Sequence, residues 1–201
     1  MGADIDGVVE VRERDGRWRF ALGLPESALV RDRHAREVLF GYGGALRVER
    51  PLIDLRGCPD DVSDVVPSTC EELHHSHSYA TWAEIAAVDW DGPLCDGPDG
   101  NHIGEWRPGP GPDGSLVLHD VPWTPVEVLD AAEELFGEDL MPPEWPAGGE
   151  VHRNGAVYRP VTWTPRMFVP PDGAWSPVWT AMRELATAHG DENVRLVVWF
   201  G

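Results

Sequence analysis

Apolar and polar residues alternate near the start of the chain, which predicts a strand followed by a hairpin. The apolar positions there are separated by acidic and basic ones, as in a strand with one solvent-facing side. Asp15-Gly16 favours a two-residue turn directly after this strand. Such a turn places Val11 opposite Phe20 and Val9 opposite Leu22, so the apolar sides of both strands agree.

The end of the chain has a different pattern. Val194–Phe200 is apolar on both faces, which is typical of a central strand that is covered on both sides. Asn154-Gly155 favours a second hairpin, and Leu46–Leu55 predicts a further strand that Pro51 weakens. Helical periods and capping signals predict helices at residues 27–40, 125–136 and 176–189, with further helix starts at Ser68 and Thr81.

Strands and helices do not alternate regularly along the chain, which favours an α+β fold over a doubly wound one. We expect a largely antiparallel sheet that contains the N-terminal and C-terminal strands and is covered by three to four helices. The length of 201 residues predicts a single domain, residues 1–201. Enrichment in Gly, Pro and Asp predicts a loop insertion at about residues 89–120.

The composition narrows the class of protein without naming a function. With 42% hydrophobic and 25% charged residues, the chain has ordinary globular usage. No apolar run reaches the roughly 20 residues of a membrane span, and the start of the chain lacks a signal-peptide pattern. We therefore expect a soluble, cytoplasmic protein with no membrane partner. All 16 basic residues are arginine, which excludes lysine chemistry.

The net charge of −19 is concentrated in the middle of the chain. Residues 57–150 hold 21 of the 35 acidic residues and one arginine, which gives this segment a charge of −20. Phosphate backbones bind to Lys and Arg, so we expect no nonspecific nucleic-acid binding. One hypothesis is therefore a non-catalytic acidic protein, such as an immunity, inhibitor or counter-defence factor, that binds a basic protein partner. Its aromatic contacts would be Trp90, Trp106 and Trp145, which are expected to be exposed in loops.

A histidine-rich segment and two acidic segments are the main candidates for chemistry. On an extended segment, His75 and His77 point to the same face, and Asp4 and Asp6 share this geometry. Asp60-Asp61 forms an acidic turn after a proline. Two histidines with one or two carboxylates suit a divalent metal, Zn²⁺, Mn²⁺ or Fe²⁺. The alternative is a histidine-rich loop with solvent-facing aspartates.

Four segments in this order resemble a family of small bacterial and phage proteins. They are Met1–Asp6, Arg56–Ser63, His75–Ser78 and Val194–Phe200. The family typically opens Met-Gly-Cys-Asp-Ile-His, and the resemblance implies no particular activity. The resemblance covers about the first ninety residues and the last strand, and the acidic middle lies outside it.

The chain departs from the family pattern at two positions of the opening segment. Ala3 stands where the family has cysteine, and Asp6 stands where it has histidine. An aspartate can still supply an oxygen ligand to a metal. The resemblance implies that Asp4, Asp60 and His75–His77 belong to one site, but it implies no substrate.

The leading hypothesis is a small metal-dependent hydrolase acting on a small anionic substrate, such as a phosphoester or a nucleotide-like molecule. A metal-bound water is acidified and becomes a nucleophile near neutral pH. Asp60 or Asp61 would be the general base or an orienting group, and Arg56 would bind the anionic group. The candidate metal ligands are Asp4, Asp6, His75 and His77.

Overall fold

The last strand of the chain lies in the middle of a four-stranded antiparallel sheet. A computed structural model describes residues 5–25, 33–44, 46, 48–66, 76–137 and 139–200. The first sheet contains β1 (Ile5–Arg12), β2 (Trp18–Gly23), β3 (Ser76–Thr81) and β8 (Val194–Phe200), in the order β2-β1-β8-β3. The α+β class and the shared sheet of the N-terminal and C-terminal strands are confirmed.

The second sheet is also antiparallel and comes from the middle of the chain. It contains β4 (Gly104–Pro108), β5 (Leu116–Asp120), β6 (Val151–Arg153) and β7 (Ala156–Arg159), in the order β5-β4-β7-β6. The chain divides into two compact units, Met1–Leu94 with Thr164–Gly201 and Cys95–Trp163. This division into units does not test the predicted single domain with an insertion, which stays a prediction.

Two strands occupy the segment that was expected to be a loop. Within residues 89–120, β4 and β5 pair with each other, and Trp106 lies opposite Leu118. The Gly- and Pro-rich stretch between them, residues 109–115, forms the turn of this hairpin. The loop prediction was wrong for these strands because each has only five residues, too few for their apolar alternation to outweigh the surrounding Gly and Pro.

The first hairpin differs from its predicted register. Val9 lies opposite Leu22 as expected, but a β-bulge follows Val9 and places Val11 opposite Arg19. The turn spans residues 13–17 rather than two residues, because the backbone N–H of residue 13 bonds to the carbonyl of residue 17. The predicted pairing of Val11 with Phe20 is therefore wrong by one position.

Five α-helices occur in the described part of the chain. They are α1 (Arg33–Phe40), α2 (Trp82–Ala86), α3 (Val126–Phe136), α4 (Pro165–Phe168) and α5 (Ser176–His189). The helix starting after Thr81 and those predicted at 125–136 and 176–189 are confirmed, whereas Ser68 and residues 27–32 lie outside the described residues. None of the described helices has the length and apolar character needed to cross a bilayer.

The strand predicted at Leu46–Leu55 is absent from the described residues of that range. Its backbone instead follows the end of α1, where the N–H groups of Leu52 and Ile53 donate to carbonyls of that helix at 3.0 and 2.8 Å. Pro51 directly precedes this contact and has no N–H to give to a ladder. The apolar residues of the segment therefore pack against a helix end rather than a sheet.

The two faces of the first sheet have different coverings. Phe200 packs on Phe40 of α1, with ring centroids 5.5 Å apart, so this face lies against helices. Alternate residues of β8 point the other way, and Val197 and Trp199 form a buried cluster with Val66 from the loop before β3. We call residues 56–66 the covering segment, since they pack over this second face.

Candidate functional site

Asp6 and His77 lie in one row of the first sheet, on either side of Trp199. Asp6 pairs with Trp199 across β1 and β8, and His77 pairs with it across β3 and β8. Directly opposed residues of antiparallel strands project to the same face. Neighbouring strands are about 4.8 Å apart, which separates the α-carbons of Asp6 and His77 by about 9–10 Å. Two of the predicted metal ligands are thus brought to one face.

The covering segment lies over the same face of the sheet. Its N–H at Gly57 donates to the carbonyl of His77 at 3.1 Å, which ties it to the edge of β3. Its apolar side chains pack against the next row of the sheet, and this cluster contains Val8, Val197, Tyr79, Cys58, Val62 and Val66. The acidic turn at residues 60–61 is therefore carried on the face that holds Asp6 and His77.

A buried ion pair joins β1 to β8 and holds the covering segment. The Nε of Arg195 donates to Glu10 at 2.8 Å, and these side chains are 4% and 0% exposed. The other carboxylate oxygen of Glu10 accepts the backbone N–H of Ser63 at 2.8 Å. The Nη1 of Arg195 donates to the Asp61 carboxylate at 2.7 Å, and its guanidinium lies 4.0 Å from the ring centroid of Trp18.

Asp61 is committed to this ion pair. Partial burial raises the pKa of Asp61, but the hydrogen bond and the charge of Arg195 together lower it by more. The pKa therefore lies below its ordinary value of 3.8. A carboxylate held in this way is ionised at neutral pH and is a weak proton acceptor. Its partner Arg195 lies four residues from Trp199, about 13 Å along the strand, so Asp61 is not brought together with Asp6 and His77.

Arg56 lies beside the edge of β3, since the N–H of the next residue, Gly57, bonds to the carbonyl of His77. The Nη1 of Arg56 pairs with Glu84 of α2 at 2.6 Å, and its guanidinium lies 5.6 Å from the ring centroid of Tyr79. Burial raises the pKa of Glu84, while hydrogen bonds from Thr81 and Arg56 lower it to a net value below normal. Asp60 is exposed at the acidic turn. Arg56 and Asp60 thus both belong to the covering segment, and both are exposed to solvent.

The donor set for a metal is incomplete in the described part of the chain. Asp4 and His75 lie outside the described residues. Among those that are described, no group of three or more His, Cys, Asp and Glu side chains is placed to hold a metal ion. Asp6 and His77 supply two donors of suitable chemistry, and a catalytic zinc site uses three protein ligands.

Glu10 and Arg195 were missed as a coupled pair by sequence reasoning. Arg195 is the one charged residue of a strand predicted to be covered on both faces. A buried charge requires a partner, so this position indicates that an acidic side chain must lie opposite it. The identity of that partner follows only from the pairing of β1 with β8.

The tryptophans expected at the surface differ in their surroundings. Trp145 is 6% exposed and its Nε1 donates to the carbonyl of Leu140 at 3.1 Å, so its prediction as an exposed contact is wrong. Trp106 is half-buried, with the guanidinium of Arg159 5.8 Å from its ring centroid. Trp123, which the sequence did not single out, is 62% exposed.

Comparisons with known proteins add no relative from which a function could be transferred. No protein-family model, curated protein or solved structure matches this chain. The case for a function therefore depends on the side chains themselves, and above all on the pair Asp6 and His77.

Proposed function

We propose that the protein is a metal-dependent hydrolase whose site lies on the face of the first sheet that carries Asp6 and His77. One observation carries this proposal. Asp6 on β1 and His77 on β3 both pair with Trp199 of β8, the strand that lies between β1 and β3. An aspartate oxygen and an imidazole nitrogen are ligands that Zn²⁺, Mn²⁺ and Fe²⁺ all accept. The further ligands in this proposal are Asp4 and His75.

A bound divalent metal would supply an acidified water as the nucleophile. The chain's own groups would position the substrate and handle the proton. Arg56 is 33% exposed in its side chain and binds the anionic group of a phosphoester, since a guanidinium matches phosphate oxygens. Asp60, exposed on the covering segment, accepts the proton from the attacking water. Asp61 acts through Arg195 as a positioning residue that fixes this segment.

Metal analysis of protein purified without a histidine tag tests the proposal. We expect about one equivalent of Zn, Mn or Fe per chain. An Asp6→Asn/His77→Gln variant should lose it, and an Asp4→Asn/His75→Gln variant should bind it more weakly. The matched control is His119→Gln/Asp130→Asn, which changes exposed residues of the second unit and should keep the metal.

Hydrolysis of bis(p-nitrophenyl) phosphate provides the second measurement. The metal-loaded protein should release nitrophenolate, a chelator should stop this release, and Arg56→Gln should raise KM more than it lowers kcat. Metal below one-tenth of an equivalent, unchanged in the Asp6→Asn/His77→Gln variant, would contradict the proposal. Full activity of that variant would contradict it as well.

A second candidate function, an acidic binding protein, is favoured by one observation in the second unit. Trp123 and Val126 are 62% and 68% exposed at the start of α3, a helix that carries four acidic residues. Exposed aromatic and apolar anchors beside negative charge suit a basic partner. Binding of an amphipathic Arg/Trp peptide should weaken in a Trp123→Ser/Val126→Ser variant and at high salt. Equal binding of the peptide by the unchanged protein and by the Trp123→Ser/Val126→Ser variant would contradict this second candidate function.

A further inference from the structure

A cavity of about 360 Å³ lies in the first unit, and neither Asp6 nor His77 lines it. Its walls come from α2, the segment after α2, and the region from α4 to α5. Trp82, Trp90 and Trp179 contribute three indole rings to the lining, and Arg166 and Arg183 contribute two guanidinium groups. A largely apolar cavity of this size with few polar groups is typical of a small-molecule site.

The aromatic walls are held in place by neighbouring contacts. Trp175 stacks on Trp179 with centroids 5.3 Å apart and an interplanar angle of 20°, yet Trp175 does not line the cavity. Trp179 itself lines the cavity, and Trp90 lies 6.2 Å from it at 52°. The backbone N–H of Arg166 donates to the carbonyl of Trp90 at 3.0 Å, which ties together two of the segments that line the cavity.

The two arginine side chains in the cavity lining favour an anionic ligand. Arg166 is held by Asp91 through two hydrogen bonds of 2.6 and 2.8 Å. Arg183 is exposed, and no carboxylate in the described part of the chain pairs with it. An aromatic cage for a quaternary ammonium ligand would be disfavoured by these two guanidiniums. A planar anion, by contrast, can stack on the indoles and reach Arg183.

We propose that this cavity binds a nucleoside monophosphate, with the base against the indole rings and the phosphate on Arg183. Bases stack on tryptophan with little dependence on their identity, and arginine binds phosphate through two parallel hydrogen bonds. The volume suits one nucleotide, and the net charge of −19 disfavours a polynucleotide. The proposal does not depend on the hydrolase, because the cavity lining contains none of the residues assigned to that site.

Calorimetric titration of the full chain with AMP, GMP, CMP and UMP tests this assignment. We expect saturable binding of at least one of them, and weaker binding of the matching nucleoside and of inorganic phosphate. Arg183→Gln should lower the affinity for the monophosphate about tenfold or more and leave that for the nucleoside unchanged. Trp82→Leu should weaken both. Arg153→Gln, an exposed arginine of the second unit, is the matched control.

Three results would overturn the assignment. The first is no saturable binding of any of the four nucleotides up to about 1 mM, the weak end of small-ligand affinity. The second is an equal affinity for the nucleoside and the monophosphate, or an Arg183→Gln variant that binds as the unchanged protein does. The third is a single-stranded oligonucleotide that binds more tightly than any monophosphate. Metal removal should alter none of these affinities, which separates this test from that of the hydrolase.

Discussion

Arg195 carries a full charge into a strand whose other side chains are apolar. Two carboxylates, Glu10 and Asp61, and the ring of Trp18 surround its guanidinium. A buried ion pair of this kind adds little net stability, because desolvation offsets much of the attraction. Its effect is on specificity, since any other register of β1 against β8 would leave a charge buried without a partner.

Removing one partner of the Glu10–Arg195 ion pair should therefore lower the free energy of unfolding strongly. We expect Arg195→Met to lower the free energy of unfolding by about 3–5 kcal/mol, because it leaves the Glu10 carboxylate in an apolar interior. Urea denaturation followed by tryptophan fluorescence measures this loss. The control Arg159→Met breaks an exposed pair with Glu150 and should cost at most about 1 kcal/mol. Glu10→Gln/Arg195→Met should recover part of the loss. Equal losses in both single variants would refute this account.

Asp61 should make stability depend on pH in the acidic range. Its pKa in the folded protein lies below the ordinary value of 3.8, so its contribution is present above that value and is lost as the pH falls through the folded pKa. The difference in unfolding free energy between the unchanged protein and Asp61→Asn should be constant from about pH 5 to 7 and shrink below about pH 4. In an Arg195→Met background this pH dependence should disappear. A difference that grows on acidification would contradict the assignment.

At the scale of elements, α2 is short but has two roles. Its Glu84 pairs with Arg56 beside the candidate hydrolase site, while Trp82 on the same helix lines the cavity. The helix is held at its start by a capping box between Thr81 and Glu84. A five-residue helix forms only with such support, since nucleation of an isolated turn is unfavourable.

Loss of this cap should be measurable. Thr81→Ala removes the acceptor for the Glu84 N–H, and we expect the free energy of unfolding to fall by about 0.5–2 kcal/mol. Thr187→Ala is the control, because that hydroxyl lies exposed on α5 and donates only to a carbonyl of its own helix. Its effect should stay within about 0.5 kcal/mol. Thermal unfolding of the three proteins provides the comparison, and a larger loss in the control would contradict it.

The elements that the sequence predicts well have signals over many residues. α3 and α5 carry apolar stripes of several turns, and β8 is apolar apart from Arg195. The strands β4 and β5 are short and flanked by Gly and Pro, so local pattern does not separate them from loop. The row of Asp6 and His77 depends on both pairing with Trp199, which is a long-range contact. Their catalytic role stays a prediction.

The whole molecule is strongly acidic, and its stability should depend on salt. Like charges repel in the compact state, and added salt shortens the range of that repulsion. Raising NaCl from about 20 to about 500 mM should raise Tm by about 2–4 °C, equivalent to about 1 kcal/mol in a chain of this size. Glu133→Arg/Glu134→Arg makes the net charge less negative by four and should reduce the increase. A Tm that falls with salt would show that attractive ion pairs dominate instead.

The central position of β8 has a consequence for folding during synthesis. β1 and β3 pair with β8 rather than with each other. The ion-pair partner of Glu10 is Arg195, which lies 185 residues later in the chain. In the described part of the chain, the strands of the second unit pair with one another, within residues 95–163. On the ribosome the second sheet can therefore form while β1 still lacks its main neighbour. Until β8 emerges, the apolar strands of the first sheet are exposed to chaperones and to aggregation.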